Sequence, residues 1–80
     1  MVEVRYFAAI ADAVGKASES FDLPAQATIA DLRAHLAATY GAELDSMIGV
    51  CAYLIGDELT RDPATVLTPR VDVLPPFAGG

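Results

Sequence analysis

The chain has 80 residues, a length typical of one small domain, and 54% of them are hydrophobic, which is enough for a core without disulfide crosslinks. Eleven acidic and five basic residues give a formal charge of −6, and Lys16 is the only lysine. Because phosphate binding needs Lys and Arg, this balance argues against nucleic acid and favours a protein partner with a basic docking surface.

The first part of the chain has the pattern of two strands joined by a short helical turn. Residues 2–8 alternate in polarity, which predicts a half-buried strand. Apolar residues four apart in 10–14, followed by Gly15, predict a helical turn. Residues 20–23 alternate again and Pro24 ends this second strand, so we expect the two strands to pair antiparallel.

The clearest helix covers residues 29–40. Thr28 can cap it, and Asp31 supplies a short version of the capping box together with a favourable charge in the first turn. Gly41 ends the helix. Its apolar side chains form one stripe at helical spacing: Ile29, Leu32, Leu36 and Tyr40.

The rest of the chain predicts more helix and three further strands. A short helix is expected at residues 43–49, followed by a strand at about 50–55, a Gly56-Asp57 turn and a strand at 58–61. Val71 and Val73 define the last strand. A central position for that strand would anchor whatever follows it.

Together these elements predict an α+β domain with a mixed sheet and one main helix packed on one face. We expect residues 1–74 to form this domain and residues 75–80 to be an extended, flexible tail. The other face of the sheet must then meet water or a partner.

The predicted tail reads Pro75-Pro76-Phe77-Ala78-Gly79-Gly80. Proline fixes φ and keeps the tail extended, and glycine has no Cβ, so the end of the tail is as thin as a backbone can be. Six residues span roughly 20 Å when extended. These features suit a Gly80 carboxylate that enters another protein as the reactive group.

Two large apolar side chains are predicted on the uncovered face of the sheet, near the root of the tail. Phe7 points away from the core if Val4 and Tyr6 point in, and Leu74 points out if its valine neighbours point in. Leu59 is a third candidate. Such residues predict a docking patch.

Residues that could carry catalysis are nearly absent. His35, the only histidine, lies opposite the apolar stripe of its helix, and Cys51, the only cysteine, has no basic neighbour and is expected to be a buried, inert thiol. No cluster has metal-ligand spacing. We expect a chain that is not catalytic alone and binds no cofactor. No signal sequence or membrane-spanning run is recognisable, so we expect a cytoplasmic protein with no membrane partner.

The opening Val4-Arg5-Tyr6-Phe7-Ala8, the helix start Thr28-Ile29-Ala30-Asp31-Leu32 and the Pro-Pro-x-x-Gly-Gly end resemble the MoaD family. This family is the small, sulfur-carrying subunit of molybdopterin synthase, and the resemblance covers the whole chain. It implies the ubiquitin-like β-grasp fold. It also implies that Gly80 accepts the sulfur, that Gly79 threads a channel, and that Phe7 and Leu74 contact the partner. Candidates for the rest of that contact are Leu59, Pro75, Pro76 and Phe77.

The resemblance implies a sequence of partners. An E1-like adenylyltransferase uses ATP and magnesium to adenylate the terminal carboxylate, and a sulfur-donor enzyme converts it to a thiocarboxylate. The large subunit of molybdopterin synthase then takes the tail, and sulfur passes to a cyclic pyranopterin precursor in molybdenum cofactor biosynthesis.

Alternative functions remain open from the sequence. A thiamin-type sulfur carrier shares the fold, the diglycine and the adenylation, although it usually lacks the proline pair. A ubiquitin-like modifier or interaction module would be joined to lysines rather than loaded with sulfur. A stand-alone enzyme is disfavoured by the missing catalytic residues.

Overall fold

The computed structural model describes residues 1–76. Within that range five strands and three helices follow one another in the order β1 (Val2–Tyr6), α1 (Ala8–Val14), β2 (Ser18–Phe21), α2 (Ile29–Tyr40), α3 (Ala42–Ile48), β3 (Ala52–Ile55), β4 (Glu58–Thr60) and β5 (Arg70–Leu74).

The strands form one mixed sheet in the order β2-β1-β5-β3-β4. β1 and β5 are parallel, and the other three neighbouring pairs are antiparallel. The last strand is therefore central, as the sequence analysis anticipated. Val71 and Val73 on it have no exposed surface, because a central strand is covered by neighbours on both sides as well as by the helices.

The core lies between one face of the sheet and the helices. The alternation predicted for β1 is confirmed, since Val4 and Tyr6 are buried, and the stripe of α2 is buried at Ile29, Leu32 and Leu36. α2 is the main helix, and α1 and α3 add their apolar side chains to the same cluster. These additions are Ile10, Leu44 and Ile48.

The start of α2 has the predicted capping box. Thr28 Oγ1 accepts from the Asp31 amide at 3.4 Å, and the Thr28 amide donates to Asp31 Oδ2 at 2.8 Å. The helix ends at Gly41, whose φ of +94° and ψ of −176° turn the chain into α3. That combination is essentially restricted to glycine.

Three predicted strand boundaries were wrong. β1 ends at Tyr6 rather than at residue 8, because Ala8 has a φ of +51° and begins α1. β2 covers Ser18–Phe21 instead of 20–23, because the register pairs Ser18 with Arg5 and Phe21 with Val2. β3 begins at Ala52, after the end of α3.

Candidate functional site

The face of the sheet away from the helices presents the side chains that alternate with the core residues. Cross-strand pairing places Arg5 beside Asp72, Asp72 beside Leu54, and Leu54 beside Leu59. Leu74 and Ala52 pair in the adjacent row. We call this surface the open face and define it by Arg5, Phe7, Ala52, Leu54, Leu59, Asp72 and Leu74.

A bidentate ion pair lies at the centre of the open face. Arg5 donates from Nε to Asp72 Oδ1 at 2.7 Å and from Nη2 to Oδ2 at 2.9 Å. Asp72 is only 7% exposed, so its carboxylate depends on Arg5 for hydrogen bonds that water would otherwise supply. The Arg5 guanidinium carbon also lies 5.8 Å from the centre of the Phe7 ring. Arg5 therefore links the central strand to the aromatic side chain at the rim.

Two of the predicted docking residues are exposed on the open face. Phe7 is 38% exposed and Leu59 is 61% exposed. The register that pairs Leu59 with Leu54 places Leu59 on this face. Leu74 was predicted to be exposed and is only partly so, because it lies on the central strand and pairs with Ala52.

The root of the tail lies in a shallow groove of about 320 Å³. Pro75 and Pro76 leave the central strand and line this groove directly, so the start of the tail is part of the same surface as the open face. The predicted tail residues Phe77, Gly79 and Gly80 lie outside the described part of the chain. We call this feature the tail-root groove; its lining residues are Ala52, Leu59, Arg61, Leu74, Pro75 and Pro76.

Neither candidate nucleophile is placed for catalysis. Cys51 is buried, and burial raises the pKa of its thiol, although Arg61 acts in the opposite direction. Its Sγ donates to the Met47 carbonyl at 3.3 Å. The ring of His35 packs edge-on against Phe21, with centroids 4.5 Å apart, so this exposed histidine supports β2.

A second polar cluster lies behind the sheet and was not anticipated. Glu19 on β2 accepts hydrogen bonds from Tyr6 at 2.8 Å and from Tyr40, and it pairs with Lys16 at 3.2 Å. Burial, followed by the hydrogen bond to Glu19, raises the pKa of Tyr40 to about 12. The cluster ties the edge strand β2 to β1 and α2, and we assign it a structural role.

The sequence held a signal for both missed features. Asp72 lies between two core valines, and Glu19 shares the core-facing parity of Phe21. An acid in either position needs a partner. The partners come from other elements, so only the fold identifies them.

Residues 1–76 contain no group of three or more His, Cys, Asp or Glu side chains that could hold a metal ion. Over the same range, none of the helices is both long and apolar enough to cross a membrane.

A mixed five-stranded sheet with a central C-terminal strand and a main helix on one face defines a ubiquitin-like β-grasp protein. The model of the ThiS family matches residues 4–80. The chain therefore belongs to the ThiS family of ubiquitin-like sulfur carriers. No curated protein matches it significantly.

Two solved structures are similar over nearly their whole length. SAMP1 from Haloferax volcanii has 20% identity and a TM-score of 0.77, with 99% of this chain and 98% of that chain covered. At that identity the similarity shows the fold alone. A chain in the complex of subunits 1 and 2 of molybdopterin-converting factor from Helicobacter pylori 26695 has 31% identity and a TM-score of 0.67, with 99% and 97% covered.

Proposed function

We propose that this chain is the sulfur-carrying subunit of a molybdopterin synthase and that the Gly80 carboxylate is its reactive group. The main support is the 31% identity, over nearly all of both chains, to a chain from the complex of subunits 1 and 2 of molybdopterin-converting factor. Membership of a sulfur-carrier family supports the same class of function.

The geometry of the described residues is compatible with this role. The tail follows the central strand, whose ladders to β1 and β3 hold its root on both sides. A root held in this way limits the positions that the end of the tail can reach, which favours delivery of a reactive group to a fixed point.

The proposed chemistry needs three partners. On an E1-like adenylyltransferase that uses ATP and Mg²⁺, a Gly80 carboxylate oxygen attacks the α-phosphorus and pyrophosphate leaves. A sulfur-donor enzyme then supplies a sulfur nucleophile to the acyl carbon, AMP leaves and a thiocarboxylate forms. The synthase large subunit binds the tail, and the thiocarboxylate transfers its sulfur to a cyclic pyranopterin precursor. In this proposal the chain binds no cofactor of its own.

Docking would use the open face and the tail. Phe7, Leu59 and Leu74 would supply apolar contacts beside the tail root. Pro75, Pro76 and Phe77 would continue this contact into the large subunit, and Gly79 would pass where only backbone fits.

Deletion of Gly80, or Gly79→Val, should abolish sulfur transfer without unfolding the domain. Loss of Gly80 shortens the tail by about 3.5 Å, far more than a reactive geometry tolerates. Thiocarboxylation is measured by intact mass after incubation with the E1-like enzyme, ATP and a sulfur donor. Transfer is then measured with the large subunit and the precursor, and a melting curve controls for folding. Wild-type loading and transfer by the truncated chain would refute the role of Gly80.

The same experiment separates the alternatives. A thiamin-type carrier would gain sulfur in place of oxygen but would not deliver it to the pterin precursor on the large subunit. A modifier would appear in the mass spectrum as conjugates to lysine side chains. The Pro75-Pro76 pair favours the molybdopterin type over the thiamin type.

A further inference from the structure

Arg61 differs from the other cations of the chain. Within residues 1–76 it forms no ion pair, although the chain carries a formal charge of −6. Its side chain is at the surface, next to the tail root. Every other Lys and Arg side chain is paired with an acid: Arg5 with Asp72, Lys16 with Glu19, Arg33 with Asp45, and Arg70 with Glu3.

The acid next to Arg61 in sequence is engaged elsewhere. Asp62 Oδ1 accepts from the Ala64 amide at 2.9 Å, and the Asp62 amide donates to Thr60 Oγ1 at 3.0 Å. These two bonds hold Asp62 in its own turn. Its carboxylate is therefore occupied with backbone rather than with the neighbouring guanidinium.

The surroundings of Arg61 are apolar. Thr60 pairs with Tyr53 across the β3–β4 ladder, so Arg61 comes level with Ala52, which in turn pairs with Leu74. The small Ala52 side chain leaves room for the tail-root groove between its larger neighbours. A guanidinium at the edge of an apolar groove gains strength as a hydrogen-bond donor when a partner excludes water.

We propose that Arg61 binds a carboxylate of the synthase large subunit, on a segment whose apolar side chains fill the tail-root groove. This inference rests on the proposed function and adds the chemistry of the contact. The net charge favours a partner surface that is mainly basic. A single acid opposite Arg61 would then fix the register in which the carrier docks and the direction in which its tail leaves.

The test compares Arg61→Gln with Arg70→Gln in the full chain. Both changes remove one positive charge from the same side of the sheet, but Arg70 lies at the opposite end of β5 and is paired with Glu3. Affinity for the purified large subunit is measured by titration calorimetry at low and high salt. Arg61→Gln should weaken binding by about tenfold or more, and Arg70→Gln by less than about twofold.

Two further readouts separate docking from stability. The melting temperature of Arg61→Gln should match that of the wild type, because the side chain forms no ion pair within the described residues. Its deficit in affinity should shrink at high salt, where exposed charges are screened. Arg61→Lys should recover part of the affinity, since it keeps the charge but loses bidentate geometry.

The outcomes are distinguishable. Equal affinities for Arg61→Gln and Arg70→Gln, with normal binding by the wild type, would overturn the inference and leave the proposed function intact. Failure of the wild-type chain to bind the large subunit would overturn the proposed function and the inference with it.

Discussion

At the scale of single residues, the Arg5–Asp72 pair is asymmetric. The Arg5 side chain is 42% exposed, whereas that of Asp72 is 9% exposed. An arginine that loses its partner can therefore hydrate, but the aspartate cannot. Removal of either residue should have a different effect on folding, because an unpaired buried charge is far more costly than an exposed one.

Arg5→Met should lower the free energy of unfolding by about 3 kcal/mol, and Asp72→Asn by only about 1 kcal/mol. Urea denaturation measures both. The exposed Arg70–Glu3 pair supplies the control, since Arg70→Met should cost less than about 0.5 kcal/mol. Equal costs for the two members of the Arg5–Asp72 pair would contradict the asymmetry.

The Glu19 cluster makes stability depend on pH. Burial alone would raise the pKa of Glu19, but hydrogen bonds from Tyr40, Tyr6 and Lys16 together hold it below its ordinary value. A carboxylate with a lowered folded-state pKa stabilises the protein fully above its unfolded pKa, about 4.3 for Glu. That contribution is lost as the pH falls through the folded value.

Glu19→Gln should therefore destabilise the domain at pH 7 by about 1–2 kcal/mol. Its deficit relative to the wild type should narrow below about pH 4.5, where the wild-type carboxylate becomes protonated. Denaturation curves from pH 3 to 7 test this, with the exposed Glu58→Gln as control. A deficit that stays constant over that range would show that ionisation of Glu19 is not responsible.

At the scale of elements, the α2–α3 corner depends on the backbone of Gly41. A Cβ built there meets nothing within 4 Å, so the φ of +94° is the only obstacle to a side chain. Gly41→Ala should cost about 1–3 kcal/mol in unfolding free energy through backbone strain. Gly49 is the matched control, because its φ of −57° is helical. Gly49→Ala should be neutral or slightly stabilising, and equal thermal shifts for the two variants would exclude strain at Gly41.

At the scale of the whole molecule, the two faces of the sheet are expected to have separate tasks. The helix-covered face contains the core and determines stability. The open face contributes exposed apolar side chains next to the tail root. Mutations on the two faces should therefore affect different measurements.

Phe7→Ala should weaken binding to the large subunit by about 2 kcal/mol, while stability falls by less than about 1 kcal/mol. The ring is partly exposed and contacts Arg5 only through a cation–π interaction of modest strength. Calorimetric titration and a melting curve measure the two quantities. Val66→Ala, an exposed apolar residue outside the open face, should change neither. A large loss of stability with unaltered binding would show that Phe7 belongs to the core.

The sequence by itself determined the features that depend on near neighbours. The capping box of α2 joins two residues three positions apart, and the stripe of Ile29, Leu32 and Leu36 follows from helical geometry alone. Alternation along β1 and β5 likewise identified their core faces and placed Phe7 outside the core. Such patterns are short enough for local backbone geometry to decide them.

Only the tertiary structure decided which distant side chains meet. Arg5 and Asp72 are 67 positions apart, and Glu19 meets a tyrosine from β1 and another from α2. The start of β2 and the partial burial of Leu74 likewise follow from pairing with neighbouring strands. A strand register is selected by the packing of the entire sheet and core, and a shift of one residue would reverse every side chain. No short window of sequence contains that information.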